Sequence, residues 1–272
     1  MRIACLCPTY GRPQSLIENA IACFLSQYHK EKGLYILDDT PRFQEHNPVP
    51  WNSDDLITYI CTNTRTPSLP CKYNRLCERL TESCPGHQRI GLTPDVVAVW
   101  DDDDVYLPWH LTAIDHHLTY SGREWCKPGE VWSTYTGIPQ RERSDGRFHG
   151  SIAMKWECLE RAGGWPESKR CGYDQQMMDR LEHKCGPFAN TLLPAKLLDG
   201  PEIIVSHHFP IPSYVFRWAD TGAAHCQTIP EGDDWYDRVI PQNTDPLGDI
   251  VPRFDKSAKM IFTALGVPVP VI

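Results

Sequence analysis

The sequence predicts an α/β fold built on a mainly parallel β-sheet. Two observations support this prediction. In the first half of the chain, short apolar segments typical of strands alternate with amphipathic segments typical of helices, which is the order that produces a parallel sheet. Residues 96–100 form an apolar run without polar interruption, as expected of a strand that helices cover on both faces.

The elements of the first half are predicted in the following order. Residues 2–7 form a buried strand that ends at Pro8. Ser15 and Glu18 form a capping box, and the apolar residues that follow recur at helical spacing, so a helix is expected to end near Gln27. The remaining elements are strands at 34–37, 56–61 and 96–100 and helices at 71–82 and after Pro108.

The second half of the chain is less regular. The predicted elements are strands at 131–136, 148–155 and 202–206 and helices at 157–161 and 173–183. The first of these helices is expected to end at the glycine pair 163–164. Beyond residue 209 no long periodicity is present, but the aromatic content of residues 211–272 predicts a segment that packs against the domain.

Composition disfavours several classes of function. The chain has 272 residues, with 27 Lys and Arg against 35 Asp and Glu and a net charge of −8 at pH 7. A protein that holds a phosphate backbone by charge alone is expected to be basic, so nonspecific nucleic-acid binding is disfavoured. No apolar run reaches the length of about 18 residues that a membrane helix needs. The first residues resemble a strand more than a signal peptide, and we expect a cytoplasmic protein.

The cysteines indicate a reduced protein. The chain has 12 cysteines, and none forms a Cys-x-x-Cys pair. A zinc ribbon or a thioredoxin-like site is therefore not expected. Because no export signal is evident, buried reduced thiols are favoured over a framework of disulfides.

Polar residues follow three of the predicted strands. Thr9-Tyr10 follows the first strand, Asp38-Asp39 follows the second, and Asp101–Asp104, here called the aspartate run, follows residues 96–100. Because ligands of such sheets bind beyond the carboxyl ends of the strands, these clusters predict a binding site. Adjacent carboxylates repel one another, and clustered oxygen ligands suit a divalent cation. The run follows an apolar strand without a spacer, so metal binding is favoured over a solvated acidic turn.

Seven short motifs occur in order along residues 2–210. They are Cys7–Pro13, Leu25–Gln27, Leu37–Thr40 and the aspartate run with Pro108, then Gly150-Ser151, Glu160–Trp165 and Gly172–Asp174. Together they resemble the family 2 glycosyltransferases of GT-A fold. The resemblance implies a Rossmann-like mixed sheet flanked by helices, in a single domain with a C-terminal extension. It also implies a nucleotide-sugar-binding half (1–125), an acceptor-binding half (126–210) and the extension (211–272).

The resemblance further implies an activity. The protein would be an inverting, metal-dependent glycosyltransferase that moves a sugar from a nucleotide diphosphate donor, with a UDP-sugar favoured, to a hydroxyl of a saccharide or other acceptor. The cofactor would be Mn²⁺ or Mg²⁺, because a cation stabilises the charge that gathers on the leaving diphosphate. The acceptor hydroxyl loses its proton as it attacks, which requires a separate carboxylate as general base.

Carried over residue by residue, the resemblance assigns roles at the nucleotide end of the cleft. Thr9, Tyr10 and Arg12 would line the nucleotide site. Asp39 would accept the N3–H of uracil, and Lys72 would meet the diphosphate or the donor side.

The same resemblance assigns roles to residues at the metal and acceptor ends of the cleft. Asp103 would ligate the cation, with Asp101 and Asp102 near the ribose or the metal-bound waters. His208 is the candidate for a further metal ligand, although paired histidines after a strand are more often polar loop residues. Asp174 would be the general base.

Some alternatives stay open on the sequence alone. Asp102 competes with Asp103 as the metal ligand, and Asp103 is favoured because Pro108 follows it at the family-like distance. Asp179 competes with Asp174 as the base. The function itself has two rivals, which are a nucleotidyltransferase on the same type of sheet and a non-catalytic module that binds nucleotide or carbohydrate.

The acceptor and the place of action are also open. The acidic composition disfavours nucleic acid as the acceptor, although the basic residues between 141 and 170 leave a modified base open. Peripheral attachment at the inner membrane stays compatible with a chain that lacks an integral membrane segment.

Overall fold

The computed structural model describes most of the predicted domain. The described residues are 1–10, 12, 14–40, 56–62, 64–81, 93–133, 140–144, 149–167, 172–191, 193–194, 210–216, 260–263 and 265–266. The strand predicted at 202–206 and His208 lie outside these ranges. None of the described helices is both long and apolar enough to cross a membrane.

The described residues form strands and helices in alternating order through the first half. The strands are β1 (Ile3–Thr9), β2 (Lys32–Asp38), β3 (Ile57–Cys61), β4 (Val96–Val99), β5 (Val105–Tyr106), β6 (Trp125–Lys127), β7 (Glu130–Ser133), β8 (Gln140–Arg143), β9 (Ala153–Lys155), β10 (Ala189–Asn190), β11 (Leu193–Pro194), β12 (Pro210–Ile211) and β13 (Tyr214–Phe216). The helices are α1 (Gln14–Leu25), α2 (Leu69–Thr81), α3 (His110–Tyr120), α4 (Trp156–Ala162) and α5 (Tyr173–Cys185).

Seven of the described strands form the main sheet, in the order β10-β6-β9-β4-β1-β2-β3. β1 pairs in parallel with β2 and β4, and β2 pairs in parallel with β3. β9 runs antiparallel to both of its neighbours, β4 and β6, and β10 is parallel to β6. The sheet is therefore mixed, which confirms the predicted fold class. Six of its seven strands end at the same side, here called the carboxyl edge.

The sheet separates two apolar layers because alternate side chains of each strand point to opposite faces. Ile3, Cys5 and Cys7 of β1 belong to the cluster that contains α1 and α3. Ala4 and Leu6 belong to the cluster that contains α2, α4 and α5. All five are buried, so β1 is covered on both faces, which agrees with the prediction of a buried strand at residues 2–7.

Strand β1 continues past the predicted stop at Pro8. The Leu6 carbonyl accepts the N–H of Trp100, the residue after β4, at 2.9 Å. Because the backbone groups of every second residue in a strand point to the same neighbouring strand, residue 8 also faces the β4 side. The pairing of β1 with β4 ends at Leu6 opposite Val99. Pro8 lies beyond this pairing, so its lack of an N–H removes no hydrogen bond between β1 and β4. β1 therefore continues to Thr9 beside β2.

Part of the C-terminal region pairs with the domain. β13 runs antiparallel to β5 and parallel to β7 in a second sheet, in the order β5-β13-β7-β8. The N–H of Leu107 donates to the Ser213 carbonyl at 2.9 Å. Ile261, Phe262 and Leu265 are buried in the cluster of α1 and α3. The described parts of residues 211–272 thus contact the domain, while the boundaries of the two halves and the extension stay a prediction.

One pair of cysteines departs from the expectation of reduced thiols. Cys158 of α4 and Cys185 at the end of α5 form a disulfide. The expectation is wrong for this pair, because α4 and α5 pack side by side and bring together residues that are 27 positions apart. The remaining described cysteines are not in a disulfide, namely Cys5, Cys7, Cys23, Cys61, Cys71, Cys77 and Cys126.

Candidate functional site

The polar ends of three neighbouring strands meet at the carboxyl edge. β1 lies between β2 and β4, and Thr9 is in register with Asp38. Asp39 follows β2 directly, and the aspartate run follows β4 after Trp100. The parallel pairing of these strands thus brings together residues that are up to 93 positions apart in sequence.

The aspartate run is fixed to the sheet at its first residue. The backbone N–H of Asp101 donates to the hydroxyl of Tyr106 at 2.6 Å, and that hydroxyl donates to the Gly150 carbonyl at 2.6 Å. The Tyr106 ring stacks on Trp100 with 3.8 Å between centroids. The carboxylate of Asp101 accepts a bond from the Tyr73 hydroxyl at 2.9 Å. Buried aromatic residues therefore hold the start of the run in one place.

Asp102 and Asp103 contact side chains from the segment after β1. Asp102 Oδ2 accepts bonds from Thr9 Oγ1 at 2.6 Å and from Arg12 Nε at 3.3 Å. Arg12 Nη2 donates to Asp103 Oδ2 at 2.8 Å. Both aspartates are buried. Thr9 and Arg12, which the resemblance assigns to the nucleotide site, therefore lie directly against the predicted metal carboxylates.

The electrostatics of this cluster favour an added cation. Burial, together with the negative charge of Asp103, raises the pKa of Asp101 to about 7, although the bond from Tyr73 opposes the shift. Burial also raises the pKa of Asp102, against the opposing charge of Arg12. Burial would lower the pKa of Arg12, but the neighbouring aspartates outweigh it and keep the guanidinium charged. One arginine thus faces several crowded carboxylates.

The donor set fits a cation that is shared with a phosphate ligand. Within the ranges that the structure describes, no group of three or more His, Cys, Asp and Glu side chains converges as a metal site. Mg²⁺ and similar hard cations are usually held by one or two carboxylates together with substrate phosphates. Asp101 and Asp103 offer hard oxygen ligands of that kind. His208 lies outside the described residues, so its predicted role is not addressed by the structure.

Asp39 and Lys72 form a buried ion pair at the ends of β1 and β2. Lys72 Nζ lies 2.5 Å from Asp39 Oδ1 and donates to the Thr9 carbonyl at 2.7 Å. The other oxygen of Asp39 accepts the N–H of Thr66 at 2.6 Å. The Asp39 side chain is 0% exposed and the Lys72 side chain is 1% exposed. Burial lowers the pKa of Lys72, and Asp39 opposes that shift. Both oxygens of Asp39 are engaged, so its predicted contact with uracil requires a change of partner.

The Tyr10 ring lies near two cationic groups. The Arg65 guanidinium carbon is 4.5 Å from the centroid of the Tyr10 ring, and Lys72 Nζ is 5.4 Å from it. Sequence analysis missed Arg65. Its only signal is its position after β3, the strand beside β2, which places it at the same carboxyl edge. A planar guanidinium over an aromatic ring forms a surface suited to a flat ligand.

Asp38 has a local structural role. Its Oδ1 accepts bonds from the backbone N–H of Thr40 at 2.9 Å and from the Thr40 hydroxyl at 2.5 Å. Its Oδ2 accepts a bond from the Tyr59 hydroxyl at 2.8 Å. Asp38 thereby shapes the turn after β2, and Asp39 is left to face Lys72.

Asp174 lies at the start of α5. Gly172 precedes the helix with φ of 89°, a left-handed conformation that glycine adopts without strain. Tyr173 lies close enough to Tyr73 to raise the pKa of that phenol, although burial and Asp101 raise it more. The start of α5 is therefore near the residue that holds Asp101. Asp179, the alternative base, is exposed further along the helix.

Trp165 is part of the core. It is 1% exposed and stacks on Tyr73 with 4.8 Å between centroids. Its backbone N–H and carbonyl are both bonded to the Asn74 side chain, at 2.8 and 3.0 Å. Trp165 is therefore a core residue that packs against Tyr73, whose hydroxyl donates to Asp101.

Comparisons with known proteins support the fold. No protein-family model and no curated protein matches the chain. Among solved structures, S. aureus TarS 1–349 in complex with UDP-GlcNAc is similar with a TM-score of 0.58 and 11% identity, over 99% of this chain and 77% of that chain. The mannosyltransferase PcManGT from Pyrobaculum calidifontis in complex with GDP-Man and Mn²⁺ has a TM-score of 0.50 and 14% identity, over 97% and 75%. The chain therefore has a GT-A-like fold.

Proposed function

We propose that the protein is a metal-dependent, inverting glycosyltransferase that uses a nucleotide diphosphate sugar. The observation that carries the proposal is the aspartate run, which lies at the carboxyl edge of a GT-A-like sheet against Thr9 and Arg12. Clustered carboxylates beside an arginine provide both the ligands for a cation and a positive group for a diphosphate. Membership of family 2 is part of the proposal.

The proposed mechanism divides the work between two acidic groups. A divalent cation held through Asp103 would neutralise the charge that develops on the leaving diphosphate. Thr9, Tyr10 and Arg12 would bind and orient the nucleotide. Asp174 would accept the proton of the acceptor hydroxyl as that oxygen attacks the anomeric carbon. One carboxylate that acts opposite the leaving group implies a single displacement, and therefore inversion.

A UDP-sugar is the proposed donor. Solved structures that are similar to this chain contain UDP-GlcNAc, UDP, or GDP-Man with Mn²⁺, which supports a nucleotide sugar without selecting the base. Asp39 would select uracil if Thr66 or Lys72 gives up its bond, because a buried acceptor penalises a base that cannot donate to it. The acceptor would be a saccharide or another hydroxyl-bearing molecule.

A donor screen tests the proposal. The melting temperature is measured with Mn²⁺ and a panel of nucleotide sugars, since a ligand stabilises the folded protein by RT ln(1 + [L]/Kd). We expect a UDP-sugar to give the largest shift, and UDP to be released when an acceptor is present. Release of pyrophosphate would indicate a nucleotidyltransferase instead. Binding without any turnover across acceptors would indicate a non-catalytic module.

A further inference from the structure

Arg12 occupies the space beside two carboxylates of the aspartate run. Its Nη2 is 2.8 Å from Asp103 Oδ2, and its Nε is 3.3 Å from Asp102 Oδ2. The Arg12 side chain is 19% exposed, so this contact is largely shielded from water. A positive charge thus already lies where the proposed function requires a divalent cation.

The guanidinium and the cation compete for the same carboxylate. Arginine stays charged at every pH at which the protein is folded. A divalent cation would approach a ligand oxygen to about 2.1 Å. With Arg12 still on Asp103, two positive charges would lie within a few ångströms in a poorly solvated site, where their repulsion is large. Arg12 therefore has to withdraw from Asp103 before the cation can bind tightly.

A diphosphate gives the guanidinium another partner. Arginine binds phosphate oxygens through two parallel N–H···O bonds, as it binds carboxylates. We propose that Arg12 is an internal counter-ion of the aspartate run in the donor-free protein, and that it exchanges Asp103 for the diphosphate when cation and donor bind together. This inference rests on the proposed use of a metal and a nucleotide diphosphate donor. The exchange of partners by Arg12 predicts that the cation binds weakly on its own and tightly together with the nucleotide.

The variant Arg12→Gln tests the exchange because the two expected effects have opposite signs. Without nucleotide, we expect Mn²⁺ to bind about tenfold more tightly, because the competing charge is gone. At saturating Mn²⁺, we expect UDP to bind about tenfold more weakly, because the phosphate contact is lost. Titration calorimetry measures both affinities. Mn²⁺ binding by Arg12→Gln that is equal to or weaker than that of the unmodified protein overturns the proposal.

Arg161→Gln is the matched control. Arg161 also pairs with a carboxylate, Glu124, at 2.5 Å, but Glu124 precedes β6 and so lies at the opposite edge of the sheet. This variant is expected to change neither affinity. Absence of sugar transfer would count against the proposed function and would leave both titrations interpretable.

The unmodified protein provides a second readout. The Nε–H resonance of Arg12 is assigned by its loss from the spectrum of Arg12→Lys. We expect it to shift when Mg²⁺ and UDP are added together, because the guanidinium changes partner. A resonance that stays in place overturns the proposal, including in the case where Arg12→Gln does not fold.

Discussion

At the scale of single residues, neighbouring carboxylates of the aspartate run have different partners. Asp101 accepts a bond from an aromatic hydroxyl, Asp102 accepts bonds from Thr9 and Arg12, and Asp103 faces Arg12. Neutralising each one should therefore have a distinct effect. The substitutions to asparagine that follow keep the size of the side chain and remove its charge.

Asp103→Asn is expected to lower metal-dependent transfer by about 10²-fold or more, because the cation loses its proposed ligand. The fold should be retained, since the substitution also relieves repulsion within the run. Thermal melting and Mn²⁺ titration check the two expectations. Asp102→Asn is the matched comparison and should affect Mn²⁺ less. If the two variants rank in the reverse order, the metal ligand is Asp102.

Asp174→Asn should reduce kcat by roughly 10² to 10⁴ with little change in donor affinity, because it removes the proton acceptor alone. Steady-state kinetics and UDP titration measure the two quantities. Asp179→Asn, on the exposed part of the same helix, is the control and should be much milder. A normal kcat for Asp174→Asn would contradict the proposed base, and retention of configuration in the product would contradict the single displacement.

Lys72→Met should destabilise the protein by about 3–5 kcal/mol, because it leaves the buried carboxylate of Asp39 without its counter-charge. Urea denaturation measures the loss. The double variant Lys72→Met/Asp39→Asn should recover part of it, since neither charge remains. Equal losses in the single and double variants would show that the pair is not coupled. A loss of UDP affinity at unchanged stability would instead support the direct donor contact that the sequence predicts.

Sequence reasoning could predict which residues gather at the site, but not how they pair. Thr9 and Asp102 meet because β1 and β4 are neighbours, and a buried apolar strand followed directly by aspartates indicates that edge. The burial of Lys72 depends on how α2 packs over β1 and β2, which its own helical pattern does not encode. Arg65 has no motif around it, so its contact with Tyr10 emerges only from the fold.

At the scale of elements, the first residue of α3 contacts Ser213, the residue that precedes β13. His110, the first residue of α3, contacts Ser213 Oγ through Nδ1 at 3.0 Å and is fully buried. Burial lowers the pKa of His110 from 6.5 to about 3. The folded protein therefore favours the neutral form of the His110 imidazole.

The contribution of His110 to stability should depend on pH. Between about pH 6.5 and pH 3 the unfolded chain binds a proton that the folded chain does not, so stability is full above pH 6.5 and falls as the pH falls. The expected slope is about 1.4 kcal/mol per pH unit from this residue. Urea denaturation at several pH values measures it, and His110→Gln removes the contribution of the imidazole. Parallel slopes for the two proteins would contradict the assignment.

The longer elements were predictable, and the shortest strands were not. α1, α2 and α5 show apolar residues at helical spacing over 12 or 13 residues. β5, β6 and β10 have two or three residues, too few for any periodicity, and β5 pairs with β13 about a hundred positions away. Such strands are defined by pairing with segments that are distant in sequence, which a local pattern does not reveal.

At the scale of the whole molecule, the C-terminal region completes both the second sheet and one apolar layer. Truncation after Pro210 removes β13, which separates β5 from β7, and the buried side chains of Ile261, Phe262 and Leu265. We expect the shortened protein to bind a hydrophobic dye and to melt at a lower temperature, because apolar surface is uncovered. An equally stable, monodisperse truncation would show that this region is dispensable.

Among the strands that the structure describes, β9 alone is reversed in the main sheet, and this has a consequence for how the protein could be redesigned. Because β9 runs against its neighbours, the residues that precede it, His149–Ser151, lie at the edge where other strands finish, and Gly150 contacts Tyr106 there. The site is thus served by an incoming segment as well as by outgoing ones. Under the proposed function, length and sequence changes before β9 are expected to alter the site from this side while the loops that follow β1, β2 and β4 are kept intact.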